Sequence, residues 1–131
     1  MRVLHDTSCW LWMVAASDRL GPDARAILED PGNELLLSAA SSWEIAIKHA
    51  LGKLPLSEPP DWYVPSRMAA TGVIPLRIEH PHALAEAKLP RHHRDPFDRL
   101  LIAQAYLEGI PLMTSDAAFA EYGIGVIPLS S

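Results

Sequence analysis

The sequence predicts an α/β fold in which a central parallel sheet of four to five strands is covered by helices on both faces. Three observations carry this prediction. Short apolar runs alternate with segments of helical pattern along the whole chain, as βαβ units require. The strongest run, Leu35-Leu36-Leu37, is continuously apolar, which suits a strand buried on both faces. A chain of 131 residues that is 49% hydrophobic is of a size to close around one core, so residues 1–131 are expected to form a single domain.

Taken in order, Arg2 to His5 is a short Val/Leu run ending at Asp6 and Thr7, and Trp10, Val14 and their apolar neighbours then suggest a helix. Pro22 to Asp30 opens with proline at a first-turn position and stops before Pro31-Gly32-Asn33, so it reads as a second short helix. Glu34 to Ser38 is short enough to be a strand. From Ala39 to Leu51 the apolar residues Trp43, Ala46, Ile47, Ala50 and Leu51 recur at helical spacing on one face, and Gly52 closes the helix. The proline-rich stretch Pro55 to Pro65 reads as a loop leading into a helix around Tyr63 to Ala70. Val73 to Ile78 follows as a strand and Pro81 to Lys88 as a short helix. Asp95-Pro96 opens a strong helix from Pro96 to Glu108, apolar on more than one side and ended by Gly109 and Pro111. Leu112 to Thr114 and Gly125 to Pro128 complete the pattern as strands, with a helix near Ala117 to Glu121 between them.

Composition narrows the function. A net charge of −5 argues against holding nucleic acid by a broad basic surface, because phosphate neutralisation needs clustered Lys and Arg. Any such contact is local. Carboxylates gathered on a divalent cation account for part of the acidic excess, as does an ordinary acidic cytoplasmic composition. The single cysteine, Cys9, excludes an internal disulfide and a zinc site built on cysteines, and a cytoplasmic location is expected. The apolar run from Cys9 to Ala16 is about half a membrane span and follows Asp6 rather than a basic region, so it reads as neither signal peptide nor anchor.

Four acids follow strands. In right-handed βαβ units every helix starts at the sheet edge where the strands have their C-termini, and this places Asp6, Glu44, Asp98 and Asp116 on one edge. Ligands of open α/β sheets bind there, where strand order reverses. Carboxylates crowded together repel, and Mg²⁺ or Mn²⁺ relieves that repulsion through oxygen ligands. A cation so held activates water for attack on a phosphodiester. The competing reading makes each acid a helix cap: Asp6 and Asp116 as N-caps, Asp95 capping the helix from Pro96 with Asp98 as its reciprocal partner, and Ser41 with Glu44 as a capping box. Glu44 also has Lys48 at i+4. Since Ser, Thr and Asn cap as well as acids do, an acid at all four starts favours a shared site.

The segments Val3-Leu4-His5-Asp6-Thr7, SAASSWEIAIK from Ser38 to Lys48, HHRDPFDRLLIAQA from His92 to Ala105 and TSDAAF from Thr114 to Phe119 together resemble the PIN-domain toxins of VapC type over most of the chain. The resemblance implies a three-layer α/β/α PIN-like fold, an acidic Mg²⁺ or Mn²⁺ site, and endoribonuclease activity restrained by a cognate antitoxin. It also implies homodimers, and from the apolar run read above no membrane attachment is expected. Carried over by position, the family's acids fall on Asp6, Glu44 and Asp116. The third falls on Asp98, which keeps the short interval to the Leu-Ile-Ala run, with Asp95 as the alternative ligand and natural cap. Thr7 and Thr114 are candidates for supporting hydroxyls.

Weaker candidates complete the list. Arg91, His92, His93 and Arg94 form the one dense basic run and are candidates to hold the RNA backbone, against the reading of a solvated loop. Trp10, Trp12 and Trp43 are expected in core or dimer contacts rather than base stacking. Cys9 has no local base to activate it. A phosphatase using an aspartyl-phosphate needs a second Asp two residues after Asp6, where Ser8 stands. A catalytically degenerate PIN-like module that only binds RNA or protein is the remaining alternative to the nuclease.

Overall fold

Five parallel strands form one sheet in the order β3-β2-β1-β4-β5 in a computed structural model that describes residues 1–130. The strands are β1 (Arg2–His5), β2 (Glu34–Ser38), β3 (Ile74–Leu76), β4 (Leu112–Thr114) and β5 (Val126–Pro128). The helices are α1 (Thr7–Ala15), α2 (Pro22–Glu29), α3 (Ala39–Ala50), α4 (Pro60–Thr71), α5 (His80–Glu86) and α6 (Pro96–Glu108), with 3-10 turns at Ser17–Arg19 and Ala117–Tyr122.

Successive strand residues point to opposite faces, and each face has its own core. Val3, Leu35, Leu37 and Met113 pack with Trp10, Ala24, Ile45, Tyr63 and Val64 on one side. Leu4, Leu36 and Leu112 pack with Leu101, Ile102, Ala105 and Phe119 on the other. This is the three-layer α/β/α arrangement. Leu101 to Ala105 of α6 are all buried, as its many-sided apolar pattern predicts.

Local differences from the sequence reading have physical causes. Helix α4 starts at Pro60, where proline at the first position costs no hydrogen bond, and it continues through Pro65. The segment before β5 is a 3-10 turn rather than an α-helix. The apolar stripe predicted to bury α3 is not its buried face: Trp43 is 58% exposed and Leu51 is also open, whereas Ala40, Ser41, Glu44 and Ile45 are buried. Small residues let the start of α3 lie close to the sheet, and that turns Glu44 inward. Trp10 is fully buried and Trp12 packs at the edge of the first core under Arg19. No helix among the described residues is long and apolar enough to cross a membrane.

Candidate functional site

Strand order reverses about β1, whose neighbours are β2 and β4, so the crevice of this sheet lies at the C-terminal ends of β1 and β4. Asp6 leaves β1 there. It occupies the N-cap position of α1 yet makes no side-chain cap bond. Its carboxylate instead accepts a 2.7 Å hydrogen bond from the Thr114 hydroxyl at the end of β4. Burial raises the Asp6 pKa, and the nearby charges of Glu44 and Asp116 push the same way, while the Thr114 and Thr7 hydrogen bonds oppose them.

Glu44 reaches the same crevice from α3. The helix is capped by Ser38, which accepts from Ala40 N–H, so Ser41 and Glu44 form no capping box. Thr7 donates to Glu44 Oε1 at 2.7 Å and lies 2.8 Å from Ser41 Oγ. A hydroxyl has one proton and a carboxylate only accepts, so Ser41 is left to donate to Thr7. The other Glu44 oxygen pairs with Lys48 one turn on. The Glu44 carboxylate beside it raises the Lys48 pKa, with Asp95 and Asp98 adding to the effect. The ammonium is therefore a fixed cation at the margin of the acids.

Asp95 and Asp98 open α6 and divide the work. Asp95 accepts from Phe97 N–H at 2.9 Å and is the cap. Asp98, half-buried in the first turn, accepts no hydrogen bond among the described residues. Burial pushes its carboxyl up to about 7, with Asp95, Asp6 and Glu44 adding repulsion and His93 opposing it.

Asp116 does cap its turn, accepting from Ala118 N–H through Oδ1 at 3.0 Å. Its Oδ2 accepts from His93 Nε2 at 2.9 Å. Of the basic run, Arg91, His92 and Arg94 are exposed on the loop between α5 and α6, whereas His93 is turned inward to the acids. Trp43 stands edge-on to Phe97, so each ring is carried by the residue immediately before a site acid. Cys9 is buried, which raises its thiol pKa and leaves it protonated.

Two contributors went unnoticed in the sequence. Buried Arg99 spends all of its donors on the end of α5 and the loop that follows it: Nε on Glu86 Oε1, and the two terminal nitrogens on the carbonyls of Glu86, Leu89, Pro90 and His93. Tyr122 bonds His93. An arginine immediately after an acid in an otherwise apolar helix was the available signal for the first; nothing local marks the second.

Among the described residues no three His, Cys, Asp or Glu side chains are drawn close enough to close around an ion as they stand. The four acids share an electrostatic field rather than a common contact. Their chemistry fits a hard divalent cation: the donors are carboxylate oxygens with threonine hydroxyls behind them, and Asp98 is a half-buried carboxylate facing acids with no donor of its own. Zinc held by thiolates does not fit this set.

Comparison with known proteins gives a consistent outline. A model of the PIN domain matches residues 3–125. Ribonuclease VapC16 of Mycobacterium tuberculosis is 54% identical over 68 residues, covering 49% of this chain and 48% of that protein. The chain thus spans about half the length of the curated relative it matches. Among solved structures, VapBC2 from Rickettsia felis bound to a DNA fragment from its promoter superposes with a TM-score of 0.71 at 12% identity, covering 98% of each chain. VapBC-1 from nontypeable Haemophilus influenzae superposes with a TM-score of 0.66 at 17% identity, again over 98% of each chain. At such identities the likeness is one of fold.

Proposed function

The chain belongs to the PIN-domain family, and from that premise we propose that it is a metal-dependent endoribonuclease, the toxin of a toxin-antitoxin pair, hydrolysing RNA with water as nucleophile. The observation that carries this reading is the shared electrostatic field at the switch point of the sheet, where Glu44 and Asp116 act on Asp6 and Asp6 and Glu44 act on Asp98, with the Asp98 carboxylate lacking any donor. The likeness to Ribonuclease VapC16 supports RNA as substrate, and the likeness to VapBC structures supports a cognate antitoxin as partner.

In this reading the four acids would hold Mg²⁺ or Mn²⁺. When bound, the cation supplies Lewis-acid stabilisation of phosphate oxygens and eases the loss of a proton from water. The chain's own residues set the geometry. Thr114 and Thr7 orient Asp6 and Glu44 from behind, and Asp98 completes the set from α6. Lys48, half-exposed beside Glu44, and the exposed Arg91 and Arg94 give the RNA backbone a few local positive contacts, enough for a chain of net charge −5 to engage phosphate at this spot.

Protein partners are proposed at the surface formed by α5 and α6. Leu84, 68% exposed, and Tyr106, 60% exposed, border an apolar groove of about 720 Å³ between α5 and α6. Exposed apolar surface of this kind supports contact with an antitoxin or with a second copy in a homodimer. The lone buried thiol suits a reducing compartment, and the cytoplasm is the proposed location.

Purified protein, freed of any antitoxin, is expected to cut single-stranded RNA with Mg²⁺ or Mn²⁺ and to stop when the cation is chelated. Asp6→Asn should lose at least about a hundredfold, since losing a direct ligand costs no less than losing the partner behind one. Wild-type rates from Asp6→Asn, or no cation-dependent cutting at all, would sink the reading.

A further inference from the structure

The basic loop between α5 and α6 contains one residue that does not behave like its neighbours. His93 has only 13% of its side chain exposed, and both ring nitrogens are engaged: Nε2 with Asp116 Oδ2 at 2.9 Å and Nδ1 with the Tyr122 hydroxyl at 2.9 Å. Its ring also stands edge-on to Phe119, with centroids 4.8 Å apart. Its own carbonyl is held by Arg99, 3.3 Å away. Ring, backbone and both nitrogens are thus fixed from four directions, whereas Arg91 and Arg94 on either side are open to solvent.

From this geometry we propose that His93 is the positioning residue of the acid site, its Nε2–H fixing the Asp116 carboxylate and the Tyr122 hydroxyl fixing the ring tautomer that makes this possible. A carboxylate only accepts, so Nε2 carries the proton facing Asp116. In the neutral ring Nδ1 is then the acceptor and Tyr122 donates to it; in the charged ring, the form that offsets the acids around Asp98, Nδ1–H donates to Tyr122 and Nε2–H still faces Asp116. Oδ1 of Asp116 is already taken by Ala118 N–H, so the two hydrogen bonds leave the carboxylate no free rotation. A ligand held in this way presents its remaining lone pairs in one direction, which is how an outer partner raises the affinity of an inner one. Arg99 belongs to the same device: immediately after Asp98 on α6, it ties the loop carrying His93 to the helix carrying Asp98.

The proposal rests on the reading of Asp116 as a cation ligand, and the test separates the two. Mn²⁺ binding to metal-free protein is measured by calorimetry for wild type, Asp116→Asn, His93→Ala, His93→Gln and Tyr122→Phe, with circular dichroism to confirm folding. His93→Ala should weaken Mn²⁺ binding about 10- to 100-fold. His93→Gln, whose amide N–H can replace Nε2–H, should recover most of that loss, and Tyr122→Phe should fall between. In wild-type protein, ¹⁵N spectra of the imidazole should show the Nε2–H tautomer for His93, a measurement that needs no variant to fold.

If Asp116→Asn weakens Mn²⁺ binding while His93→Ala binds as wild type does, the proposal is overturned and the cation reading stands. If Asp116→Asn itself binds Mn²⁺ unchanged, both fall together. An Nδ1–H tautomer in wild type, or no recovery in His93→Gln, also overturns it.

Discussion

The two sides of the acidic crevice are built on different principles. On the β1 and β2 side, Asp6 and Glu44 are buried and each has a donor: Thr114 for Asp6, Thr7 and Lys48 for Glu44, with Ser41 behind Thr7. On the α6 side, Asp95 spends its carboxylate on the helix cap, and Asp98, one turn later, has nothing. The buried side is a finished hydrogen-bonded wall, and the rim carries unspent charge. On α6 the carboxylate satisfied by its own helix end is the cap, and the one left bare among acids is the stronger candidate for a cation. Along this helix the difference between cap and ligand lies in what the oxygens accept; Asp116, which caps its turn through Oδ1 and keeps lone pairs to offer, combines the two.

The finished wall breaks most easily at Thr114, which joins β4 to β1 by donating to Asp6 and also accepts Asp116 N–H at 3.1 Å. Thr114→Val preserves shape and removes both bonds, leaving the buried Asp6 carboxylate with only the Thr7 backbone amide, and the Asp116 amide unpaired, at a cost of about 1–3 kcal/mol. The penalty should be full at pH 8, where Asp6 is ionised, and should shrink as pH falls through its raised pKa towards pH 4, because a protonated carboxyl makes weaker demands for a donor. Urea unfolding at the two pH values checks this. Equal stability of Thr114→Val and wild type at pH 8 would mean the wall does not depend on that contact.

The architecture of the site was more legible in the sequence than its internal division of labour. Alternating strands and helices placed Asp6, Glu44, Asp98 and Asp116 on one edge, and the five-stranded parallel sheet has that topology. Spacing could not decide which acids cap, because cap and ligand occupy the same helix starts. Asp6 sits at an N-cap position and does not cap, while Asp116 does. Nor could periodicity orient α3: Trp43, Ala46 and Ile47 form a regular apolar face, but small residues at the helix start set the approach and bury Glu44 instead. His93 reads in sequence as one of a basic run. Its inward turn depends on Arg99, six residues on, and on Tyr122, far along the chain, and the contact with Tyr122 leaves no local pattern.

The unspent charge on the rim should be measurable without any RNA. The Asp98 carboxyl has an ordinary value of 3.8 when unfolded and about 7 when folded. The folded protein therefore holds an extra proton between those values, so the contribution of Asp98 to stability is full below pH 4 and is lost as pH rises through 7. Asp98→Asn removes that loss. The metal-free variant should match wild type below pH 4 and exceed it by about 1–2 kcal/mol at pH 8, a figure reduced for solvent screening of a half-exposed group. Buried His5, whose pKa is lowered to about 4 by desolvation, acts in the opposite direction as pH falls, but it is common to both proteins and cancels in the difference. Added Mn²⁺ should reverse the order by stabilising wild type alone. Coincident curves at pH 8 in the absence of metal would show that Asp98 bears no such strain.

The smallest effect is expected at Asp95, and it is the sharpest probe of the contrast along α6. Asp95→Ala deletes the acceptor for Phe97 N–H and should cost about 1 kcal/mol, whereas Asp95→Asn keeps an acceptor and should cost only a few tenths. Asparagine at this position also removes one of the charges that burden Asp98, which slightly favours the ionised form of Asp98 without touching its position. RNA cutting by Asp95→Asn should then stay within about an order of magnitude of wild type, short of the loss expected when a direct ligand goes. A fall as deep as that of Asp6→Asn, with helix stability unchanged, would exchange the two roles: Asp95 would be the ligand, and the carboxylate left without a donor would be only its neighbour.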